Sequence, residues 1–381
     1  MTKDQQTEEY SQDPVHHDKG TKSGEGLDSF RKMLKSTINF EGSDLHVKAG
    51  TKPRIRVRGV LRSLDTEINS EELCYQIAKD LLDESQYKHF HKHGQMDLAY
   101  DYDEEHRFRV NIFMARGKPS LVCRLITANI MTFEQLHLAE ILGEVSMSSN
   151  GLILFAGITG SGKSTSIAAM LNYVNQRKRC HIVTIEDPIE YIFTDAKATI
   201  NQREVGIDCL SFDEALRALV REDPDVVFIG EMRDYETFES AIRAAETGHL
   251  VFGTIHASSA WQTFGRIYDL FPEGERGQIR KLLAYNLRAI IYQKLLPTLH
   301  DDTPRIPALE ILLNTPIVTK YVLEGREGEL LDVIKKNHEE GMMDLNSALL
   351  KLYEEEWISL KDALEATPKP EELKMKIKGI A

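Results

Sequence analysis

The 381 residues are 41% apolar and carry 47 Lys and Arg against 60 Asp and Glu, a formal net charge of −13. That length implies two or three domains, and the acidic balance gives no global positive field to attract nucleic acid. Cys74, Cys123, Cys180 and Cys209 stand far apart without a C-x-x-C pair, which excludes a zinc ribbon and a secreted disulfide framework and fits the cytoplasm.

Residues 1–26 are polar and charged, with hardly an aliphatic side chain, and read as a disordered leader without a signal-peptide core. Residues 27–142 mix helix and strand patterns and read as an independent α+β domain. Helices are expected over Phe30–Phe40 and Ser70–His89. Strands are expected over Leu45–Val47, Arg54–Leu61, Met96–Tyr102, Arg107–Met114 and Leu121–Ile126, with a turn at Gly117-Lys-Pro119. Phe133–Leu142 reads as helix, and residues 143–150, rich in Gly, Ser and Asn, read as a hinge.

From residue 151 short apolar strands alternate with helices, as in a parallel sheet: strands Leu152–Ala156, His181–Ile185, Val226–Ile229 and Leu250–Ile255, helices Ser164–Gln176, Phe212–Glu222 and Tyr235–Thr247. The core of this α/β domain is placed at 151–300. Beyond Trp261 the pattern turns mostly helical, with expected helices at Glu275–Leu295, Ile317–Glu324, Glu327–Asn337, Met343–Glu355 and Leu360–Glu365. Residues 301–381 form the helical C-terminal region. No run reaches the roughly 18 apolar residues of a membrane span, so no direct membrane insertion is expected.

The segment Gly157-Ile-Thr159-Gly160-Ser161-Gly162-Lys163-Ser164-Thr165 follows an apolar strand and opens a helix. This is a phosphate-binding loop in its expected setting. Its glycines let backbone N–H groups turn toward phosphates, Lys163 reaches the β/γ-phosphates, and the Ser164 hydroxyl is placed for Mg²⁺. The helix that follows adds its positive N-terminal end. ATP and Mg²⁺ are therefore the expected ligands.

Three carboxylate or histidine sites surround this loop in the reading. Val226-Val-Phe-Ile-Gly-Glu231 is an apolar strand ending in a carboxylate that can bind Mg²⁺ through water or orient the attacking water. Ile182-Val-Thr-Ile-Glu186-Asp187-Pro188-Ile-Glu190 crowds three carboxylates into five residues, tolerable beside a cation. Here Glu190 is a candidate to activate water, and Glu186 and Asp187 to shape the Mg²⁺ shell. His249 and His256 bracket the strand Leu250–Ile255; only His256, at the C-terminal end, is placed to sense a γ-phosphate, and His249 is expected to contact a neighbouring element. Phosphoryl transfer also needs an added cation, and the arginines from Arg107 to Arg124 are the expected source.

Together the loop Gly157–Thr165, the acidic Thr184–Glu190 segment, the Ile229–Asp234 strand end and the His249–His256 box resemble the secretion and type IV pilus ATPases. Gly42–His46, Arg107–Asn111, Asn201–Gly206 and Arg266–Pro272 make the chain similar to the twitching-motility retraction branch, PilT and PilU. The resemblance runs from about Leu27 to the end. It implies a PAS-like N-terminal domain and a RecA-like ATPase domain with nucleotide between them. It also implies a homo-hexameric ring in the cytoplasm, peripheral to the inner membrane at the pilus base and working on the inner-membrane platform protein. By motif, Lys163 and Ser164 bind nucleotide and Mg²⁺, Glu190 and Glu231 are the catalytic carboxylates, His249 and His256 form the histidine box, and Arg109, Arg116 and Arg124 approach the γ-phosphate. The choice of catalytic base between Glu190 and Glu231 stays open.

Two departures matter. The four-cysteine zinc site of the assembly ATPases has no counterpart, which disfavours pilus extension or type II secretion. The C-terminal retraction segment is replaced by Pro316–Glu324, and the tail, with Gly341-Met-Met-Asp344 and Leu373–Lys378, looks more like PilU. An accessory motor beside a second retraction ATPase is thus an alternative to an autonomous one. A RecA-like nucleic-acid translocase is the rival of another class, and the acidic charge counts against it.

Overall fold

In the computed structural model the chain divides into two units, described over residues 24–57, 59–103, 106–219 and 221–379. The first runs through Asn129 and includes Glu190–Ile192; the second takes Ile130–Ile189 and the chain from Phe193.

The first unit contains α1 (Glu25–Asn39), β1 (Asp44–Lys48), β2 (Arg54–Val57), β3 (Val60–Ser63), α2 (Glu71–Leu81), α3 (Glu84–His93), β4 (Gln95–Asp101), β5 (His106–Ala115) and β6 (Lys118–Thr127). Its six strands form an antiparallel sheet in the order β3-β2-β1-β6-β5-β4. Alternation with period two sorts the side chains. Phe108, Val110 and Ile112 of β5 join Leu45, Val47, Leu121 and Cys123 in a core with Phe30, Leu34 and Ile77 of the helices. Arg107, Arg109, Asp44 and Arg124 fall on the other face, where Arg109 is level with Arg124 and Arg124 with Asp44.

Three expectations change here. The strand expected over Arg54–Leu61 is two, β2 and β3, paired antiparallel. Of the leader 1–26, residues 1–23 lie outside those described, but α1 already begins at Glu25. Gly26 lets it approach α2, since a Cβ there would sit 2.8 Å from the Ile77 nitrogen. The expected helix Ser70–His89 is two helices, because Asp83 stops α2 and starts α3: its carboxylate accepts from Gln86 N (2.7 Å) while Gln86 Oε1 accepts from Asp83 N (3.1 Å), a capping box.

The second unit contains α4 (Ile141–Ser146), β7 (Gly151–Ala156), α5 (Lys163–Arg177), β8 (His181–Glu186), β9 (Thr199–Glu204), α6 (Phe212–Leu219), β10 (Val226–Ile229), α7 (Tyr235–Glu246), β11 (Leu250–Ile255), α8 (Thr263–Tyr268), α9 (Arg276–Asn286), β12 (Leu287–Pro297), β13 (Arg305–Leu313), α10 (Pro316–Leu323), α11 (Leu330–Lys336), α12 (Leu345–Glu354), α13 (Leu360–Ala366) and α14 (Pro370–Ile377). The sheet order is β13-β12-β7-β11-β10-β8-β9, parallel throughout except β13. Both faces are covered, which is why its strands read as unbroken apolar runs. Leu152 and Leu154 of β7 enter a core with α6, α7, α9 and the C-terminal helices. Ile153 and Phe155 enter the core with α4 and α5.

The helix expected over Glu275–Leu295 is corrected: α9 ends at Asn286, and Leu287–Pro297 is a strand beside β7. Leu287, Ala289, Ile290, Ile291 and Tyr292 are all buried. A strand buried on both faces loses the period of two, so pairing with β7 and not local pattern decides its form. β9 and β13 were likewise not expected, and β13 adds a strand to the region 301–381. The helix expected over Phe133–Leu142 is a turn at 133–137, with α4 starting only at Ile141; residues 143–150 begin inside α4, where Gly143 packs on Tyr173 and a Cβ would lie 3.1 Å from that ring. Among the described residues no helix is long and apolar enough to cross a membrane.

Candidate nucleotide site

Ligands of doubly wound sheets bind at the carboxyl ends of the parallel strands. Here those ends carry, side by side, the loop after β7, His256 after β11, Glu231 after β10 and Glu186 at the end of β8. Adjacent strands are about 4.8 Å apart, so the loop and Glu231 stand two strands, or about 10 Å, from each other.

The loop needs its glycines. Gly157, Gly160 and Gly162 have φ of 148°, 76° and 85°. A Cβ on Gly157 would lie 2.6 Å from the Gln293 carbonyl oxygen, and one on Gly162 would lie 2.8 Å from Gln293 Nε2. Gln293, at the loop's level on β12 and 2% exposed, donates from Nε2 to the Ser161 carbonyl (2.8 Å) and accepts from Ser166 Oγ (2.8 Å). It ties both the loop and the first turn of α5 to the sheet. Lys163 Nζ donates to the carbonyls of Gly157 and Ile158, both at 3.0 Å. Ser161 Oγ is buried without a hydrogen-bond partner among the described residues. A polar, glycine-lined cradle at the N-terminus of α5, with a buried hydroxyl to satisfy, fits an anionic phosphate.

Glu231 is held by backbone on both sides. Gly230 N donates to Ile185 O (2.8 Å), Thr254 Oγ1 donates to Gly230 O (2.6 Å), and Met232 N donates to Thr254 O (2.9 Å). Met232 fills the space over Gly253, where a Cβ would lie 2.2 Å from its sulfur. The Glu231 carboxylate receives Arg233 Nη2 at 2.5 Å on Oε2, and His256 Nε2 stands 3.0 Å from Oε1. The His256 contact is close but poorly aligned, so Oε1 is buried without an aligned donor among the described residues. Burial acts to raise the Glu231 carboxyl, but the Arg233 guanidinium and then His256 outweigh it and hold it below its ordinary range. Glu231 is thus an ionised carboxylate, with Oε2 paired to Arg233 and Oε1 turned toward His256.

Residues 24–332 match the family described as "Type II/IV secretion system protein". The chain is 39% identical to "Type IV pilus ATPase PilU" of Pseudomonas aeruginosa, over 92% of this chain and 91% of the relative. It is 40% identical to the same organism's "Type IV pilus retractation ATPase PilT", over 89% and 98%. A solved structure described as the pilus retraction motor PilT and bound ADP superposes with a TM-score of 0.84 at 41% identity, covering 90% of this chain and 98% of that one. The chain belongs to the type II/IV secretion system protein family. Within it, this protein is a nucleotide-using ATPase on the twitching-motility branch.

In this secretion-family ATPase the second unit brings Lys163, Ser164, Glu231 and His256 to one end of the sheet. Ser164 and Thr165 are half-buried in the first turn of α5, and Thr159 lies in the turn after β7. Glu186 is 5% exposed, with Oε1 accepting from Thr184 Oγ1 (2.6 Å) and Gln202 Nε2 (3.3 Å). Asp187 and Glu190 are exposed, and Glu190 groups with the first unit. No three His, Cys, Asp or Glu side chains converge as a metal-ligand group among the described residues. His249 sits at the opposite end of β11 from His256, its Nδ1 2.9 Å from the Ala244 carbonyl.

The arginines lie on the first unit's polar face: Arg109 Nε is 3.8 Å from Asp97, and Arg124 Nε donates to Asp44 at 3.0 Å. Arg116 occupies the β5–β6 turn with φ of 55°. Sequence reasoning missed Gln293 and the pairing of Arg233 with Glu231. The signal for Gln293 was a single amide, next to Lys294, in the otherwise mostly apolar Ala289–Leu296. A cavity of about 910 Å³, lined by Phe133, Tyr173, Met342 and Trp357 among others, contains none of the phosphate-loop residues.

Proposed function

We propose that this ATPase is a homo-hexameric motor of type IV pilus retraction, acting in the cytoplasm at the pilus base on the inner-membrane platform protein. The single observation that carries the hydrolytic part is Glu231, clamped by backbone two strands from the phosphate loop and kept ionised by Arg233 and His256. The relative named for pilus retraction, PilT, and the type IV pilus ATPase PilU, both aligned along nearly their whole length, support the mechanical part.

In the catalytic cycle Lys163 binds the β- and γ-phosphates, and backbone N–H groups of residues 160–165 complete the cradle. Ser164 is the hydroxyl that would hold Mg²⁺; when bound, the ion neutralises developing phosphate charge. The Glu231 carboxylate orients the attacking water, with Glu190 the other candidate for that proton. Glu186 and Asp187 border this carboxylate cluster on the β8 side. His256 bears on the γ-phosphate while touching Glu231, so loss of that phosphate changes the partner of the catalytic carboxylate. In the assembled ring Arg109, Arg116 and Arg124 supply cations, and His249 joins the contacts of the ring. The PilU-like tail favours cooperation with a second retraction ATPase.

The test is Glu231→Gln in the purified chain with Mg²⁺. ATP binding should persist while turnover falls at least a hundredfold, the scale lost with a key transition-state group. Turnover within threefold of wild type would remove Glu231 from the mechanism. Mass measurement and assay with and without the second ATPase separate an autonomous hexamer from an accessory subunit.

A further inference from the structure

Glu310 is a carboxylate in the middle of the apolar run Ala308-Leu-Glu-Ile-Leu-Leu313 of β13, and it is 3% exposed. Through the register Glu310–Tyr292–Ala156 it stands at the phosphate-loop end of the sheet. Nothing in the mechanism above uses it. Its Oε1 accepts the Ala260 N–H at 2.6 Å, and the N–H groups of Trp261 and Leu345 also bond to its carboxyl.

These donors come from two places. Ala260 and Trp261 lie in the turn that leads from His256 to Gln262, the N-cap of α8. Leu345 is the first residue of α12, whose N-cap is Asp344. One buried carboxylate therefore joins the segment carrying His256 to the C-terminal helices. The connection continues outward. Asp344, 1% exposed, accepts from Ser347 N (3.1 Å) and meets His338 Nε2 at 3.0 Å and Lys376 Nζ at 3.4 Å. Asp344 and Lys376 belong to the tail segments that set this chain apart at the sequence level.

A buried carboxylate is costly unless its bonds are made, and a fold that only needed an acceptor for three backbone N–H groups has cheaper ones in the uncharged side chains of Ser, Thr or Asn. We infer that Glu310 is a positioning residue for ATP hydrolysis, fixing the segment after His256 and coupling it to the tail helices. This rests on the reading of His256 as a group that answers to the γ-phosphate.

The groups facing Glu310 are the Tyr292 phenol across the strand pair and Asp344, with His338 and Lys376 beyond Asp344. Burial pushes the Glu310 carboxyl up to about 7, Ala260 N–H opposing and Asp344 adding to the rise. Its charge, and with it the bonds to the three N–H groups, changes near neutral pH.

The experiment uses the full chain and measures kcat and KM for ATP from pH 6 to 8.5, with ADP affinity as the check on folding. The variants are Glu310→Gln, His256→Asn and the pair together. Glu310→Gln should lower kcat about tenfold at pH 8, leave KM and ADP affinity within about twofold, and flatten the kcat rise centred near pH 7. It should add nothing in the His256→Asn background. Wild-type kcat and pH profile in Glu310→Gln, with His256→Asn impaired, would overturn this inference alone. An equal further loss in the double variant would show that Glu310 does not act through His256. Full turnover in His256→Asn would overturn the reading of His256 and this inference with it. Should Glu310→Gln not fold, Glu310→Asp, which keeps an ionisable carboxyl but withdraws it by one methylene, takes its place: kcat at pH 8 should fall with KM and ADP affinity kept, again with no further loss in the His256→Asn background, and wild-type kcat would overturn the inference.

Discussion

Gln293→Leu is the substitution that tests whether the sheet holds the phosphate loop. The volume of the side chain is nearly kept, so the change isolates two hydrogen bonds: Nε2 to Ser161 O and Ser166 Oγ to Oε1, both 2.8 Å and buried. Each leaves a buried partner unsatisfied at about 1–3 kcal/mol. Against that stands a gain of about 1–2 kcal/mol from burying a leucine. A net loss centred on about 2.5 kcal/mol is expected. Urea unfolding should show it as a lower midpoint at unchanged slope. Because the bonds fix the backbone that cradles phosphate, ADP affinity should fall at least tenfold, which is about 1.4 kcal/mol. Ser166→Ala removes one of the two bonds and should cost about half as much. The two changes share one network, so their double variant should fall short of the sum by at least 0.5 kcal/mol. An unchanged midpoint with ADP affinity within twofold of wild type would refute the claim that β12 holds the loop.

Two further outcomes follow from titrating groups. Arg233 holds the Glu231 carboxyl below its ordinary range against the effect of burial, so this carboxylate stays ionised down to acid pH. Arg233→Ala should move the acid limb of the kcat profile to higher pH, and an unmoved limb would deny Arg233 that role. Glu310 makes the opposite contribution to stability. Its carboxyl is raised from 4.5 to about 7 in the fold, so between those values the unfolded chain has ionised while the folded one has not. Stability then falls as pH rises from 4.5 to 7 and levels off above, by about 3 kcal/mol at about 1.4 kcal/mol per pH unit. Glu310→Gln cannot titrate, and denaturant unfolding at pH 5 and pH 8 should show wild type losing about 2–3 kcal/mol relative to it; parallel losses would refute the assignment.

Legibility followed the range of the interactions. β7, β10 and β11 were readable because glycines and turns punctuate short apolar runs, and the site residues at their ends, Lys163, Glu231 and His256, inherit that clarity. β12 was not, since strands buried on both faces carry no alternation and its form is imposed by β7, far away in sequence. The break between α2 and α3 rests on one capping box within an otherwise helical pattern. Gln293 and Glu310 each look like a stray polar residue in an apolar run. Their meaning lies in partners 132 and 50 residues away, beyond the reach of any local pattern.

The loop and its clamp enter the world at different times. Synthesis proceeds from the N-terminus, so Gly157–Thr165 leaves the ribosome well before Leu287–Pro297, the strand that lies directly beside β7 and bears Gln293. Until that strand arrives, β7 has no neighbour on one side and the loop's backbone has no anchor there. A nascent chain halted before residue 287 therefore carries the complete phosphate-loop sequence without its finished grip, which reserves tight nucleotide capture for chains that have reached their C-terminal region.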